Sequence, residues 1–393
     1  MKHILITAGT TYGRLDDNKL VGNRIRGIWA TKFACWLHSR GYSVTLLLPD
    51  TFDKASLERT MREMPLVSRP ANEQLPTFEV LYQNGYESYA EQCYALAPKV
   101  DAAVMASAVV NWIPKNPVKG KMTTEGYAEG DVIDIPFYLA PRVIDRMRKL
   151  NPKLTLIGCK MTAGSTRDEL MRAAYGTLLK AHCNVVVAND LSNLKEKILV
   201  YPDGRQSVQA DFEWMYHELK AVIDDVFYRT ESDPDPGAID PDRLETAKAR
   251  FNRICDRYRE NFVKRPDNGP DRVFGSVAVR IDDQNTLVSP REKGTMFTAD
   301  DAVIVTSVDR HKTARIIRTV DGKKATLNAP LLLKVLDFFE WDTVVHLHEL
   351  HAKWATLPYA PPGSVRDNDR ALSGEDSGFN IEGHGCVFAP ARV

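Results

Sequence analysis

Cysteine is sparse in this sequence and forms no C-x-x-C pair: the six residues stand far apart at positions 35, 93, 159, 183, 255 and 386. Such spacing fits reduced, buried thiols rather than a disulfide framework. Long apolar runs are missing too. No stretch approaches the ~20 apolar residues that span a bilayer, and the opening MKHILITAG turns at a glycine after a few residues, as a first strand does and a signal peptide does not. There is no excess charge of either sign, since 52 basic residues meet 52 acidic ones. No net field therefore draws the chain to nucleic acid or to an anionic membrane. These absences lead to the expectation of a cytoplasmic protein whose partner is a small-molecule substrate, with no nucleic acid and no membrane, and they leave room for one local phosphate pocket. Neither G-x-G-x-x-G nor G-x-x-x-x-G-K-[ST] occurs, which argues against a standard NAD site and excludes a P-loop ATPase.

What is present suits a packed protein of two domains. Hydrophobic residues make up 44% and charged residues 26% of 393, enough core for two ordinary domains under a mixed surface. Residues 3–8 read as a buried strand closed by Gly9-Thr10-Thr11. Residues 23–40 carry apolar side chains at helical spacing up to Gly41, and residues 42–48 form a second apolar strand. Strand, glycine turn, helix and strand make a βαβ unit, whose dense Val/Leu runs predict a parallel sheet covered on both faces. The alternation continues with strands near 78–81, 102–106, 154–158 and 184–187, and with helices near 86–97, 142–150 and 166–182. A hairpin at 197–209 and a closing helix at 211–228 follow. Residues 111–141, rich in Pro, Gly, Lys and Thr, read as a long excursion over the carboxyl ends of the strands, where open α/β sheets bind ligands.

The stretch ESDPDPGAIDPD blocks helix repeatedly and buries nothing, so it predicts a linker over 231–241 between a domain at 1–230 and another at 242–393. After an amphipathic helix at 242–263 the second domain turns strand-like at 273–281, 286–289 and 302–306. A helix at 331–339 and strands at 343–347 and 381–388 complete it. The fold class expected is α/β, a Rossmann-like parallel sheet domain followed by a smaller α+β domain.

The turn ITAGTT offers backbone N–H groups to a phosphate, although a strand ending in this way also serves as a plain turn. Arg14, Arg24 and Arg26 are candidates for phosphate contacts, because a guanidinium fork matches phosphate oxygens. Several segments, in order, resemble the phosphopantothenoylcysteine synthetase family. They are Thr7-Ala8-Gly9-Thr10-Thr11, Gly22-Asn23-Arg24-Ile25-Arg26-Gly27, Ser107-Ala108-Val109-Val110-Asn111-Trp112, Lys119-Gly120-Lys121, Gly158-Cys159-Lys160-Met161-Thr162-Ala163 and Ala188-Asn189-Asp190. The resemblance covers about residues 1–228. It implies a ligase that activates a carboxylic acid with CTP or ATP and Mg²⁺, passes through an acyl nucleotide and joins the acid to an amine. It implies a catalytic Asn23 on the acyl intermediate and a loop lysine, Lys121 or Lys119, in the second step. Nucleotide contacts are implied at Gly9, Thr10, Thr11, Gly27, Ala108, Asn111, Asn189 and Asp190. Three departures point to an altered substrate. Hydroxyls and a lysine of the family give way to Ile25, Arg26 and Ile28, a carboxylate gives way to Asn111, and another to Thr162-Ala163. The plainer alternatives are that Asn23 caps the following helix, that Lys119 and Lys121 are solvated loop charges, and that Trp29 and Trp112 are packing residues.

Histidine is scarce, nine in all, and His346, His348, His351 and His384 fall in the last 50 residues. In Val344-Val345-His346-Leu347-His348 a strand places two imidazoles on one face. With His384 between two glycines they make a three-ligand zinc site, with surface histidines as the alternative. Residues 242–393 resemble the class II aldolase/adducin family, with Gly275-Ser276 and His384-Gly385 at matching places, but Leu327-Asn328-Ala329-Pro330 stands where that family has its glutamate. Three functions follow: the ligase, a metal-dependent lyase, epimerase or decarboxylase, and a non-catalytic scaffold. Both resembled families imply a homo-oligomer, dimer or tetramer.

Overall fold

The computed structural model describes residues 1–64, 75–202, 205–209, 211–263, 273–311, 313–357, 378–382 and 385–390. They fall into two compact units, Met1–Asp224 and Asp225–Val393.

The first unit runs β1 (His3–Thr7), β2 (Tyr12–Arg14), β3 (Leu20–Gly22), α1 (Ile28–Ser39), β4 (Ser43–Pro49), α2 (Lys54–Glu63), β5 (Phe78–Gln83), α3 (Tyr86–Leu96), β6 (Ala102–Met105), β7 (Trp112–Pro114) and β8 (Phe137–Leu139). It continues with α4 (Val143–Leu150), β9 (Thr155–Thr162), α5 (Arg167–Ala181), β10 (Val185–Asp190), β11 (Asn193–Val200), β12 (Gln206–Gln209) and α6 (Phe212–Asp224). Its eight-stranded sheet has the order β12-β11-β10-β9-β6-β1-β4-β5. The six strands from β10 to β5 are parallel, and β11 and β12 are antiparallel. Parallel strands need helices on both faces, and the side chains show both faces buried. Leu5, Ala103, Leu156, Val186 and Ala188 pack with Tyr89, Met147 and Leu170 of α3, α4 and α5. The opposite parity, Ile4, Ile6, Leu46, Ile157 and Val187, is equally buried. On α1, Phe33 stacks on Tyr216 of α6 at 5.0 Å.

One buried cation ties this unit together. Arg148, 8% exposed, donates to the carbonyls of Leu154 and His182 and to Asn184 Oδ1. The ends of α4 and α5 are thereby held to the starts of β9 and β10. Thr166 and Glu169 cap α5 reciprocally, a pairing that satisfies two otherwise orphaned N–H groups.

The second unit contains β13 (Phe227–Ser232), α7 (Pro241–Tyr258), β14 (Ser276–Arg280), β15 (Thr286–Val288), β16 (Val303–Arg310), β17 (Ala314–Thr319), α8 (Ala329–Phe338), β18 (Thr343–Leu347), β19 (Thr356–Leu357), β20 (Gly378–Ile381) and β21 (Gly385–Phe388). Its nine-stranded sheet, β13-β17-β16-β15-β14-β18-β21-β20-β19, is antiparallel except at β13–β17 and β19–β20. Phe251 and Ile254 of α7 pack on Val277, Val279 and Val345. Leu332 and Leu336 of α8 cover Ala278 and Val344 on the other face.

Three sequence expectations change. The helix expected over 23–40 begins only at Ile28, with a hairpin, β2–β3, before it. The closing helix ends at Asp224 rather than 228, because the chain then enters β13 beside β17. The last strand, expected over 381–388, is two strands paired antiparallel. All six cysteines are free thiols, five buried and Cys159 half-buried. Among the described residues no helix is long and apolar enough to cross a membrane.

Candidate functional site

From β1 at the centre the chain builds outward to β4 and β5, then returns past β1 to β6, β9 and β10. The order reverses between β1 and β6. Loops leaving neighbouring carboxyl ends there diverge and open a crevice. The two loops are Gly9–Thr11 and residues 106–111, which are stitched together. Thr10 bridges Ala108 in parallel, Ala108 N donates to Gly9 O at 2.8 Å, Thr11 N to Ala108 O at 3.2 Å, and Val110 N to Thr11 Oγ1 at 2.8 Å. Below them the buried Thr7 Oγ1 accepts from Ser107 N at 3.2 Å and lies 3.4 Å from the Tyr89 hydroxyl.

The start of α1 meets this turn backbone to backbone. Gly27, at φ +73°, lies so close to Gly9 that a Cβ would stand 2.1 Å from Gly9 N. Only glycine tolerates both that conformation and that approach. Gly27 is itself the N-cap of α1, so Asn23 does not cap the helix. Asn23 instead spans the crevice. Its backbone N–H donates to Thr10 Oγ1 at 3.1 Å, and its Nδ2 donates to Ala108 O and Val109 O, each at 3.1 Å. Asn23 is exposed, and its Oδ1 makes no hydrogen bond among the described residues.

The lysine loop comes to the same place. Asp17 N donates to Gly120 O at 2.9 Å, Gly120 N to Asp17 Oδ2 at 2.8 Å, and Met122 N to Asp16 Oδ2 at 2.8 Å. Asp16, 1% exposed, also accepts from Lys19 Nζ at 3.0 Å. The Met122 N–H first, and then Lys19 and Asn18, hold its carboxyl well below the usual carboxylate range. Two aspartates in the turn between β2 and β3 thus fasten the segment bearing Lys119 and Lys121, which are both exposed. Arg24 and Arg26 are exposed as well, with no ion pair among the described residues. Arg14 lies beside the Tyr12 hydroxyl, which donates to Asp50 at 2.7 Å. Burial and Asp50 push that phenol up to about 12. Asn111, exposed, offers its carbonyl to Ala140 N at 2.7 Å. Gln83, which no motif signalled, closes the floor: fully buried, it donates to Thr10 O at 2.9 Å and accepts from Gly85 N at 2.8 Å.

Asn189 and Asp190 end β10, two strands beyond β6, and they differ. Asp190 accepts from Thr162 Oγ1 at 2.7 Å, from Gly164 N and Ser165 N, and from Ser192 N and Oγ. Ser192 first, and then Thr162 and Ser165, hold its carboxyl well below the usual range. Its oxygens organise the two flanking loops. Asn189 is 7% exposed, and its carboxamide has no hydrogen-bond partner among the described residues.

In the second unit His346 is fully buried. Its Nδ1 lies 3.0 Å from Asn328 Nδ2, and its ring stands edge-on to His348 at 4.9 Å. His348 stacks on Phe274 at 4.7 Å. Among the described residues no three or more His, Cys, Asp and Glu side chains are grouped to hold a metal. His384, the third ligand expected for zinc, lies outside the described residues. The expected site therefore has two imidazoles, one of them packed against an amide and the other against a phenyl ring.

The chain matches the family model described as DNA/pantothenate metabolism flavoprotein C-terminal domain over residues 1–203. It is 28% identical over 206 residues to the coenzyme A biosynthesis bifunctional protein CoaBC of Thermococcus kodakarensis, taking in 51% of this chain and 45% of that protein. The chain thus spans less than half the length of that curated relative. Among solved structures it is similar to the DNA/pantothenate metabolism flavoprotein of Streptococcus pneumoniae, with 17% identity, a TM-score of 0.46, and 57% of this chain and 98% of that one covered. It is also similar to a Cab2 variant in complex with phosphopantothenate-cysteine, with 16% identity, a TM-score of 0.47, and coverage of 57% and 86%.

Proposed function

Because the chain belongs, through its first 203 residues, to the family of the DNA/pantothenate metabolism flavoprotein C-terminal domain, we propose that it is an enzyme of the ligase type. It joins a small carboxylic acid to an amine at the expense of a nucleoside triphosphate, CTP or ATP. The acid's carboxylate attacks the α-phosphorus and pyrophosphate leaves; the amine then attacks the acyl carbon and the nucleoside monophosphate leaves. The observation that carries this reading is the crevice at the strand-order reversal, where Asn23 bridges the turn after β1 to the loop after β6.

Each residue has a task set by its place. The turn at Gly9–Thr11 presents backbone to the phosphates. Arg24, Arg26 and the fastened lysine loop supply cations where negative charge develops on the leaving pyrophosphate. Asn23 orients the acyl group, releasing one of its carbonyl contacts to donate to the acyl oxygen. Asp16 and Asp190 have their oxygens engaged within the protein, so the donor set fits a Mg²⁺ that arrives on the triphosphate rather than in an all-protein cage. When bound, that ion neutralises phosphate charge. With Ile25, Arg26 and Ile28 where the family has hydroxyls and a lysine, the acid differs from phosphopantothenate. A hydroxyl facing apolar bulk would lose about 1–3 kcal/mol of hydrogen bonding.

The test is pyrophosphate release from CTP, ATP, GTP and UTP with Mg²⁺ against a panel of small carboxylic acids and amines, with Asn23→Ala alongside. Release that depends on both acid and Asn23 supports the reading. A wild-type protein with no saturable affinity for any of the four triphosphates overturns it. The family resemblance also carries a homo-oligomer, which sedimentation velocity measures directly.

A further inference from the structure

The buried carboxamide of Gln83 has no task in the chemistry above. It ends β5, the edge strand of the first sheet, with β4 between it and β1. At 1% exposure it meets no solvent. Packing alone would be served by a methionine or leucine of similar volume, and a buried amide costs free energy unless its ends are paired. Both ends are paired. Oε1 accepts from the N–H of Gly85, the N-cap of α3, at 2.8 Å, and Nε2 donates to Thr10 O at 2.9 Å. The second contact reaches past the end of β4. Pro49, the β4 residue paired with Gln83, has no N–H, and its Cδ lies 2.7 Å from where a Cβ on Gly9 would stand. The next N–H, that of Asp50, goes to the Gln83 carbonyl at 2.9 Å. Among the described residues the Gln83 side chain is thus the donor to Thr10 O.

Thr10 joins this amide to Asn23. The Thr10–Thr11 peptide unit is held at both ends, its carbonyl by Gln83 and its N–H by Ala108 O at 3.2 Å. The Thr10 hydroxyl accepts from Asn23 N at 3.1 Å and lies 2.9 Å from Thr11 O and 3.2 Å from Ala108 O. A Thr10 carbonyl turned toward another donor would tilt that peptide and carry the hydroxyl with it. The roles at Gln83 are fixed as well, because the Gly85 N–H can only donate and Thr10 O can only accept. A carboxylate in its place satisfies the first and opposes the second, acceptor against acceptor. A thioether supplies no donor and only a weak acceptor.

We propose that Gln83 is a positioning residue of the ligation, acting through Thr10 on Asn23 and so on the placement of the acyl group, an inference that rests on the ligase reading above. Gln83 itself touches no substrate. It holds the first turn in one arrangement before substrates arrive, and misplacing a reacting group by about 1 Å costs up to about 100-fold in rate.

The experiment uses the full chain with Mg²⁺ and the pair, drawn from CTP, ATP, GTP and UTP and the panel of carboxylic acids, that gives the wild type its fastest pyrophosphate release. Gln83→Met and Gln83→Glu are assayed from about pH 5.5 to 8.5, a span that brackets the raised pKa of a buried carboxyl. The temperature is one at which circular dichroism shows each variant folded. Gln83→Met is expected to slow release about 10- to 100-fold at every pH and to speed hydrogen exchange of the Asn23 amide. Gln83→Glu should match it at the alkaline end. Toward the acid end its rate relative to wild type should recover by about 10-fold, because the protonated carboxyl again donates to Thr10 O while accepting from Gly85 N–H. Groups common to both proteins cancel in that ratio. A folded Gln83→Met that turns over at the wild-type rate overturns the proposal, as does an Asn23 amide that exchanges no faster. A Gln83→Glu ratio that stays flat with pH does so too, and that ratio carries the test should Gln83→Met not fold. Release lost in Asn23→Ala but kept in folded Gln83→Met would leave the ligase reading standing without this role for Gln83. A wild type that releases no pyrophosphate overturns both.

Discussion

Replacing Gly27 by alanine attacks the closest backbone approach around the crevice. The added methyl would lie 2.1 Å from Gly9 N, 2.7 Å from Gly9 Cα and 2.9 Å from the Ala8 carbonyl carbon. All three are backbone atoms, so no rotamer change relieves the contact. Two costs combine. A left-handed residue with a Cβ costs about 1–2 kcal/mol, and forcing a methyl into a filled space costs about 1–3 kcal/mol more. Gly164 isolates the first term: it has φ +67° and nothing within 4 Å of its would-be Cβ. For a unit of this size 1 kcal/mol moves the midpoint by about 2–4 °C. Gly27→Ala should therefore melt roughly 2–12 °C below Gly164→Ala in scanning calorimetry of the full chain, read at the first unit's transition. It should also lose nucleotide affinity that Gly164→Ala keeps. If both variants melt together, α1 does not rest on the first turn as described, and the argument for a shaped crevice fails.

Other outcomes follow from the same contacts. Asn23→Ala removes two side-chain bonds to carbonyls and should cost about 1–2 kcal/mol by urea titration, while pyrophosphate release falls much further; equal losses in both would make Asn23 a structural clamp. Asp16 has its folded pKa lowered, so its stabilisation is present above the unfolded value near 3.9 and is lost as pH falls below it. Protection of the Met122 amide, taken relative to its intrinsic exchange rate, should fall as pH drops from about 5 to 2, and Asp16→Asn should lack that protection at every pH; a protection factor that stays constant from about pH 5 to pH 2 contradicts this. Arg148→Met strands the Leu154 and His182 carbonyls and Asn184 in the core and should destabilise by about 3 kcal/mol or more in denaturant. His346→Ala leaves Asn328 without its ring partner and should cost about 1–3 kcal/mol, whether or not metal is added. Stability of the parent that rises with zinc but not that of the variant would instead favour a metal at this histidine.

Much of this arrangement was legible in the residues themselves. The apolar runs at Ile4–Ile6, Val44–Leu48 and Val185–Val187 can be buried only in strands covered on both sides, and Gly9, Gly41 and the Thr166 cap mark where the chain must turn. Local chemistry is sufficient for such features. It could not reveal the β2–β3 hairpin, because three-residue strands carry no periodicity; that hairpin forms around Asp16 and Asp17, which hold a loop a hundred residues later. Nor could it separate neighbours in Ala188-Asn189-Asp190. Both side chains are short and polar, yet alternation along β10 sends Asp190 into a ring of donors and leaves Asn189 unpaired.

The sequence alone determined the alternation of strand and helix, because each βαβ unit is written in contiguous residues. Which polar side chains meet was a tertiary decision. Gln83 beneath Thr10 and Asn23 across Ala108 depend on strand order and register, set by packing over the whole sheet, and no local pattern encodes that sum.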